Sequence, residues 1–339
     1  MKPGSLKFLI CGFSIFMLAL GSNSCSNDVK ILAPYKDITV VYGLMDQSDS
    51  VHYFRINKAF EGLGNAYTMA AVYDSIYYPV GNIHAYIQDS SAISSSVVDT
   101  FNLDTTTAIP LGPGVFSNPK QLLYYTQSHK KPLNPNDYYN LVIINTKTGK
   151  RVTGSASLMP DVDFTSPSGF TFSKSFPISS DTSRPSRIAW QTSPGARIYQ
   201  MAIRFFYREV YQSNVTIDYI DWIFAPITSS TLGGGLTLSY SFNAQGLLAV
   251  IASLPHKQGV SRTPVSVSVI FTTGSDDLNT YVQLSQPPLG INQDIPSFSD
   301  VKNGVGLYTA RHIETILKQV DNGVVDSLST EPRFITLGF

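Results

Sequence analysis

Apolar and polar residues alternate with a period of two through most of this chain, the repeat of a strand with one buried and one wet face. The alternation is cleanest in two stretches. In LTLSYSF, Leu236, Leu238, Tyr240 and Phe242 alternate with Thr237, Ser239 and Ser241; in VSVSVIF, Val265, Val267, Val269 and Phe271 oppose Ser266 and Ser268. DITVVYGLMD and VHYFRINKAF, joined by the polar QSDS, predict a hairpin. NIHAYIQDS, VVDTFNLD and KQLLYYTQ predict further strands, and DYYNLVIINTKTGKRVTGSASL predicts two around a Thr-Lys-Thr-Gly turn at 146 to 149. About seven short strands therefore precede Pro160, a count and spacing that fit a β-sandwich. YQMAIRFFYREVY and TIDYIDWIF, around the turn Gln212 to Val215, predict the longest hairpin.

Helical spacing interrupts this pattern in three places. After Asn243, an N-cap residue, Leu247, Leu248, Ile251 and Leu254 recur until Pro255. After Ser275, Asp276 and Asp277 suit the positive end of a helix dipole, and Leu278, Tyr281 and Val282 follow on one face. HIETILKQV predicts a third helix, ended by Asn322-Gly323. PDVDFTSPSG, between Pro160 and Gly169, has two prolines and no apolar periodicity. It divides the chain into a β-sandwich domain at 37–160 and a β-rich domain with short helices at 161–339. The expected class is mainly β, with two sandwich-like domains.

The start of the chain changes this picture. Lys2 and Lys7 precede an apolar run from Phe8 to Leu20, too short to span a bilayer, and Gly21 to Ser24 are small and polar. Residues 1–24 thus predict an export signal. Cleavage before Cys25 would discard Cys11 and leave Cys25 at the new amino terminus, with no second thiol for a disulfide. Two readings follow: Cys25 is a lipidation site, or it is a bystander beside a peptidase site. Residues 25–36, polar and containing Pro34, predict a tether.

Composition narrows the chemistry. Among 339 residues, 24 Lys and Arg balance 24 Asp and Glu, so binding of nucleic acid through bulk charge is not expected. The 41 Ser and 26 Thr, with 19 Tyr and 19 Phe, suit half-buried pleated surfaces. His52, His84, His129, His256 and His312 are too scattered to predict a zinc site. No cofactor and no metal is expected. The Gly-x-Gly of NGVGLY does not open a helix behind a strand, so a dinucleotide site is not expected either. Asp161 with Asp163, and Asp276 with Asp277, are carboxylate pairs that suit acid–base or calcium chemistry, or simply a solvated linker and a helix start. Tyr77-Tyr78, Tyr124-Tyr125 and Tyr138-Tyr139 each place one ring on either face of an extended chain, so one of each pair could stack on sugars or pack on a partner. Trp190 and Trp222 are expected in the core. Arg204 and Arg208, with Asp218 and Asp221 on the neighbouring strand, are expected to form a charge ladder in preference to an anion site.

The export signal with Cys25, VVYGLMD…VHYFRINKAF, YYNLVIINTKTGKRVTG, IAWQTSPGARIYQ, RFFYRE and IPSFSDVKNGVGLYTARH together resemble the large lipoproteins of Bacteroidota that are known only as a domain of unknown function. The most specific element is Asn303-Gly304-x-Gly306-Leu307 followed by Arg311. The resemblance implies an immunoglobulin-like or transthyretin-like first domain, an outer-membrane location through acylated Cys25, and genes beside TonB-dependent receptors. It leaves the membrane face open. It implies a non-enzymatic accessory subunit that binds an outer-membrane β-barrel protein or receptor complex; a scaffold subunit of an assembly or export machine is the alternative. It also brings in a glycosylation pattern, Asp followed by Ser or Thr and then an apolar residue or Thr, matched at Ser50, Ser75, Thr105 and Ser327.

Overall fold

The computed structural model describes residues 37–59, 66–112, 120–127, 133–179, 184–286 and 297–339. The export signal, Cys25, the tether and His129 lie outside them. At 48% strand and 14% helix the protein is mainly β, as the alternation predicts.

In chain order the first eight strands are β1 (Thr39–Met45), β2 (Val51–Lys58), β3 (Ile83–Ser90), β4 (Val97–Asn102), β5 (Asp104–Thr106), β6 (Leu123–Gln127), β7 (Tyr138–Asn145) and β8 (Arg151–Ser157). Two short helices, α1 (Ala66–Ala70) and α2 (Tyr73–Ile76), lie between β2 and β3. There follow β9 (Asp163–Ser166), β10 (Ser186–Gln191), β11 (Ala196–Tyr211), β12 (Asn214–Ile223), β13 (Ile227–Thr228), β14 (Thr237–Phe242), α3 (Ala244–Ile251), β15 (Val260–Ser275), α4 (Asp276–Leu284), β16 (Val305–Lys318), α5 (Asn322–Thr330) and α6 (Pro332–Ile335).

A nine-stranded sheet runs β12-β11-β15-β16-β1-β2-β6-β5, with β13 on β11. The remaining strands form a four-stranded sheet, β4-β3-β7-β8, and a three-stranded sheet, β14-β10-β9. Inward-facing side chains of all three sheets join one buried cluster, giving a sandwich-like architecture. Trp190 on β10 is fully buried, its ring 4.7 Å edge-on from Phe271 of β15 and 5.4 Å from Tyr240 of β14. In the other half, the buried Tyr308 ring of β16 lies 6.0 Å from Phe54 of β2 and fills the space opposite Gly154 of β8, where any Cβ would come within 2.9 Å of that ring.

The predicted boundary after Pro160 does not separate two bodies: Asp37–Phe60 and Asn65–Phe339 form one compact unit. The cause is β16, which pairs with β15 on one side and, in parallel, with β1 on the other, from Val40↔Val305 to Met45↔Ala310. Each half keeps its own small sheet, and the large one is shared. The motif 303–306 permits this junction. Asn303 has φ 61 and Gly306 φ 123, and a Cβ on Gly306 would lie 1.9 Å from the Val41 carbonyl oxygen, so only glycine lets β16 start against β1.

Two predicted helices form as expected. Asn243 Oδ1 accepts from Gly246 N at 3.2 Å at the start of α3, and Ser275 Oγ accepts from Leu278 N at 3.1 Å at the start of α4. The third does not form: HIETILKQV lies mostly in β16, where Glu314 faces Phe271 and Ile316 faces Val269. Its β-branched Ile313, Thr315 and Ile316 suit the pleat, and pairing on both sides outweighs a helical spacing of apolar residues. Asn322-Gly323, read as that helix's end, instead starts α5, with Asp321 Oδ1 accepting from Gly323 N at 2.9 Å. A register shift opposite Phe206 and Tyr207 leaves Val265 unpaired and 47% exposed, although Val267, Val269 and Phe271 are buried as predicted. Leu236 precedes β14 and is likewise exposed. Trp222 is only partly buried; its ring lies over Gly246 of α3.

Candidate functional site

Along the outer face of the nine-stranded sheet, β1 and β2 present Tyr42 and Tyr53, 39% and 43% exposed. Strand β16 runs beside β1 and brings Arg311 to the same face, four residues beyond the Tyr42 partner Leu307. These three side chains, with Leu44, Val51 and Asp49, line a groove of about 300 Å³. Neighbouring rings hold the two tyrosines: Tyr281 of α4 stands edge-on 6.1 Å from Tyr42, and Tyr125 of β6 lies 6.1 Å from Tyr53. Burial, reinforced by Tyr281, raises the pKa of the Tyr42 hydroxyl, so it remains a neutral donor. The Nε of Arg311 is buried with no hydrogen-bond partner among the described residues.

A second recess, of about 380 Å³, opens where the outer face of β3, β7 and β8 meets the segment before β16. Gln88, Asn140 and Ser155 supply neutral hydrogen-bonding groups, Arg151 and Lys302 positive charge, and Asp277 and Asp300 negative charge. Burial, with a contribution from the charge on Asp277 and against the hydrogen bond from Tyr308 N, pushes Asp300 up to about 6. Asp277 is also raised, by burial and then by Asp276. The recess therefore pairs two carboxylates that hold protons more readily than free aspartate does.

Below β1, Asp46 forms a buried node with His312. Asp46 Oδ1 lies 2.9 Å from His312 Nδ1, and Asp46 Oδ2 accepts from Ile313 N at 2.9 Å. Ser48 donates its N and Oγ to Asp46 Oδ1 at 3.0 and 2.8 Å. Burial works against both charges, yet the mutual hydrogen bond prevails: Asp46 is lowered, helped by Ser48, and His312 is raised. Asp161 Oδ1 lies 3.3 Å from His312 Nε2 but not in hydrogen-bonding geometry, and it accepts from Gln47 Nε2 at 2.6 Å. The node joins the end of β1, β16 and the 160s loop; both Asp46 oxygens are taken up by the fold itself, while His312 Nε2 has no hydrogen-bond partner among the described residues.

Of the carboxylate pairs read from spacing, Asp276 still acts on Asp277 through its charge, but it is turned to a partner of its own. Asp276 is held by Arg197 at 2.7 Å, so the partner of Asp277 in the recess is Asp300. Asp161 and Asp163 are exposed. Among the described residues no group of three or more His, Cys, Asp and Glu could hold a metal ion. His84 and His256 are exposed, and His52 is buried with both ring nitrogens unpartnered, its pKa lowered by burial. The charge ladder is half present: Arg204 makes a two-point pair with Asp221 at 2.8 and 2.9 Å and lies over the Tyr219 ring, whereas Asp218 sits opposite Tyr207 and Arg208 is exposed. Tyr124-Tyr125 and Tyr138-Tyr139 divide between inside and outside, but Tyr77 and Tyr78 are both buried just after α2, where the chain is not a strand. Ser50 is exposed in the β1–β2 turn, Thr105 is exposed on β5, Ser75 is partly buried in α2, and Ser327 is partly buried in α5.

Fold and surfaces together define a mainly β, sandwich-like protein whose described surface includes the two recesses above. No family model matches the chain, and no curated protein matches it. Among solved structures, the C-terminal globular domain of an oligosaccharyltransferase from Pyrococcus abyssi is similar over 70% of this chain, at 10% identity and a TM-score of 0.22. The chain spans 50% of that structure's length, and a likeness this distant carries no argument.

Proposed function

We propose that the protein is an outer-membrane lipoprotein, tethered through acylated Cys25, that works by binding as an accessory subunit of a TonB-dependent receptor or nutrient-uptake complex. Covalent chemistry has no part in this reading. One observation supports it above others. The end strand of the large sheet, β12, carries Val215, Ile217, Tyr219 and Ile223 on one face at 54%, 68%, 48% and 63% exposure, and Leu317 of β16 adds 67% on the same side. Among the described residues nothing covers this face or the β12 edge, and although the Arg204–Asp221 pair and Arg208 share the face, aliphatic side chains this exposed beside an end strand form a surface that a partner normally covers, by packing on the face or extending the sheet. Burying each aliphatic side chain would contribute about 1.5–3 kcal/mol, enough for a few to govern affinity.

The test is co-purification from detergent-extracted membranes with the wild-type chain and with Ile217→Lys plus Ile223→Lys. The expected result is an outer-membrane receptor barrel recovered with wild type and reduced about tenfold or more with the double variant. Recovery of an outer-membrane assembly component in its place would favour the scaffold reading. A receptor retained equally by the variant would overturn the assignment of this face.

A further inference from the structure

We propose that the recess on the outer face of β3, β7 and β8 binds a small zwitterion, an amino acid or short peptide, with its ammonium at Asp277 and Asp300 and its carboxylate at Arg151 and Lys302. The site is separate from the β12 face and stands without it. Three observations converge. First, these four charged side chains line one space of about 380 Å³, yet none of them makes an ion pair among the described residues. The carboxylates and the cations stand too far apart to neutralise each other directly, which leaves both signs open to a ligand that carries one charge of each. Second, the four groups are within reach and held by the fold. Arg151 and Lys302 are exposed, and Asp277 and Asp300 are only partly buried. Paired amides and carbonyls of Thr153 and Lys302, at 3.1 and 2.8 Å, fix Lys302 beside β8, and Tyr308 N donates to Asp300 at 2.9 Å. That amide uses only part of the acceptor capacity of a carboxylate, which has about four lone-pair sites, and the Asp277 carboxylate accepts no hydrogen bond among the described residues. Burial raises both aspartates, and neighbouring aspartate charge adds to the effect; a ligand ammonium supplies the counter-charge that the fold does not. Third, the floor is polar and ringless. Gln88, Asn140 and Ser155 stand in register across three strands, and the side chains of Gln88 and Ser155 make no hydrogen bond among the described residues, so they can serve the amide of a peptide. The described lining includes no aromatic side chain, so a sugar ring would find no flat face to pack on. The volume is on the scale of ordinary small-ligand sites.

The experiment is calorimetric titration of the purified full-length protein with alanine, alanylalanine, the N-acetylated and the amidated form of each, and maltose. Saturable binding is expected for alanine or alanylalanine, and the tighter of the two gives the length of the ligand. Blocking its amino end or its carboxyl end should each weaken binding about tenfold or more. Asp277→Asn should weaken the unblocked ligand and blunt its sensitivity to N-acetylation. Arg151→Gln should blunt its sensitivity to amidation, while Arg187→Gln on the three-stranded sheet should leave binding intact. Blocked and unblocked ligands are compared on the same variant, so a small loss of folding does not mimic the expected pattern. No saturable binding of either zwitterion at millimolar concentration overturns the site. Equal binding of blocked and unblocked forms, or binding of maltose as tight as that of the zwitterion, overturns the assignment of charges.

Discussion

A methyl group on Gly306 would sit 1.9 Å from the carbonyl oxygen of Val41, at a φ of 123 that a side chain disfavours. Gly306→Ala should therefore destabilise by about 3 kcal/mol or more. Gly81→Ala, at φ 83 with nothing within 4 Å of the new atom, should cost only about 1 kcal/mol. Urea unfolding of both variants checks the contrast, and equal losses would contradict it. His312 and Asp46 give a second prediction. His312 is raised, so its contribution is complete below about pH 6.5 and is lost as pH climbs through the higher folded value. Asp46 is lowered, so its contribution is present above about pH 3.9 and is lost as pH falls through the lower folded value. The pair thus stabilises most in the mildly acidic window between these limits. His312→Asn should cost about 3 kcal/mol near pH 5.5 and less at pH 9, measured as the gap from wild type in denaturant unfolding. A gap that widens with pH would contradict the pairing. Neither residue's role was legible in the sequence. Gly306 meets Val41 and His312 meets Asp46 across more than 260 positions, and local spacing carries no trace of a parallel partner so remote.

At the level of elements, what could be read was what local chemistry decides. Asn243 and Ser275 cap α3 and α4 because each needs only its own side chain and an amide three residues on. The long hairpin turns where polar Gln212, at φ 55, interrupts two β-rich runs. The segment from His312 misled because Ile313, Ile316 and Leu317 satisfy a helical period as well as a strand. Pairing with β15 decides between them, turning Ile316 inward and leaving Leu317 exposed. The same non-local pairing assembles the groove. Tyr42, Tyr53 and Arg311 come from three strands; the tyrosine doublets hinted at exposed rings, but none of them contains Tyr42 or Tyr53. In the polar recess Asp277 was legible as a helix-start carboxylate, but its partner Asp300 lies beyond a long stretch of chain.

For the whole molecule, the reading of two sandwiches was right about layers and incomplete about independence. Pro160 to Gly169 does interrupt the pattern, yet β16 returns to β1 and makes one sheet of both halves. Among the described residues the outcome is one compact unit with exposed aliphatic side chains on β12 and a ring-lined groove on β1, β2 and β16. A body that presents such surfaces gains effective concentration toward a membrane partner when it is held at the bilayer, since tethering turns encounter into a nearly intramolecular event. Such tethering would run through Cys25. The direct measurement is labelling of growing cells with radioactive palmitate, comparing wild type with Cys25→Ser. Label on the wild-type chain and retention in the membrane through a high-salt wash, both lost in the variant, is the predicted result. A wild-type chain that stays unlabelled and washes free in salt would contradict it.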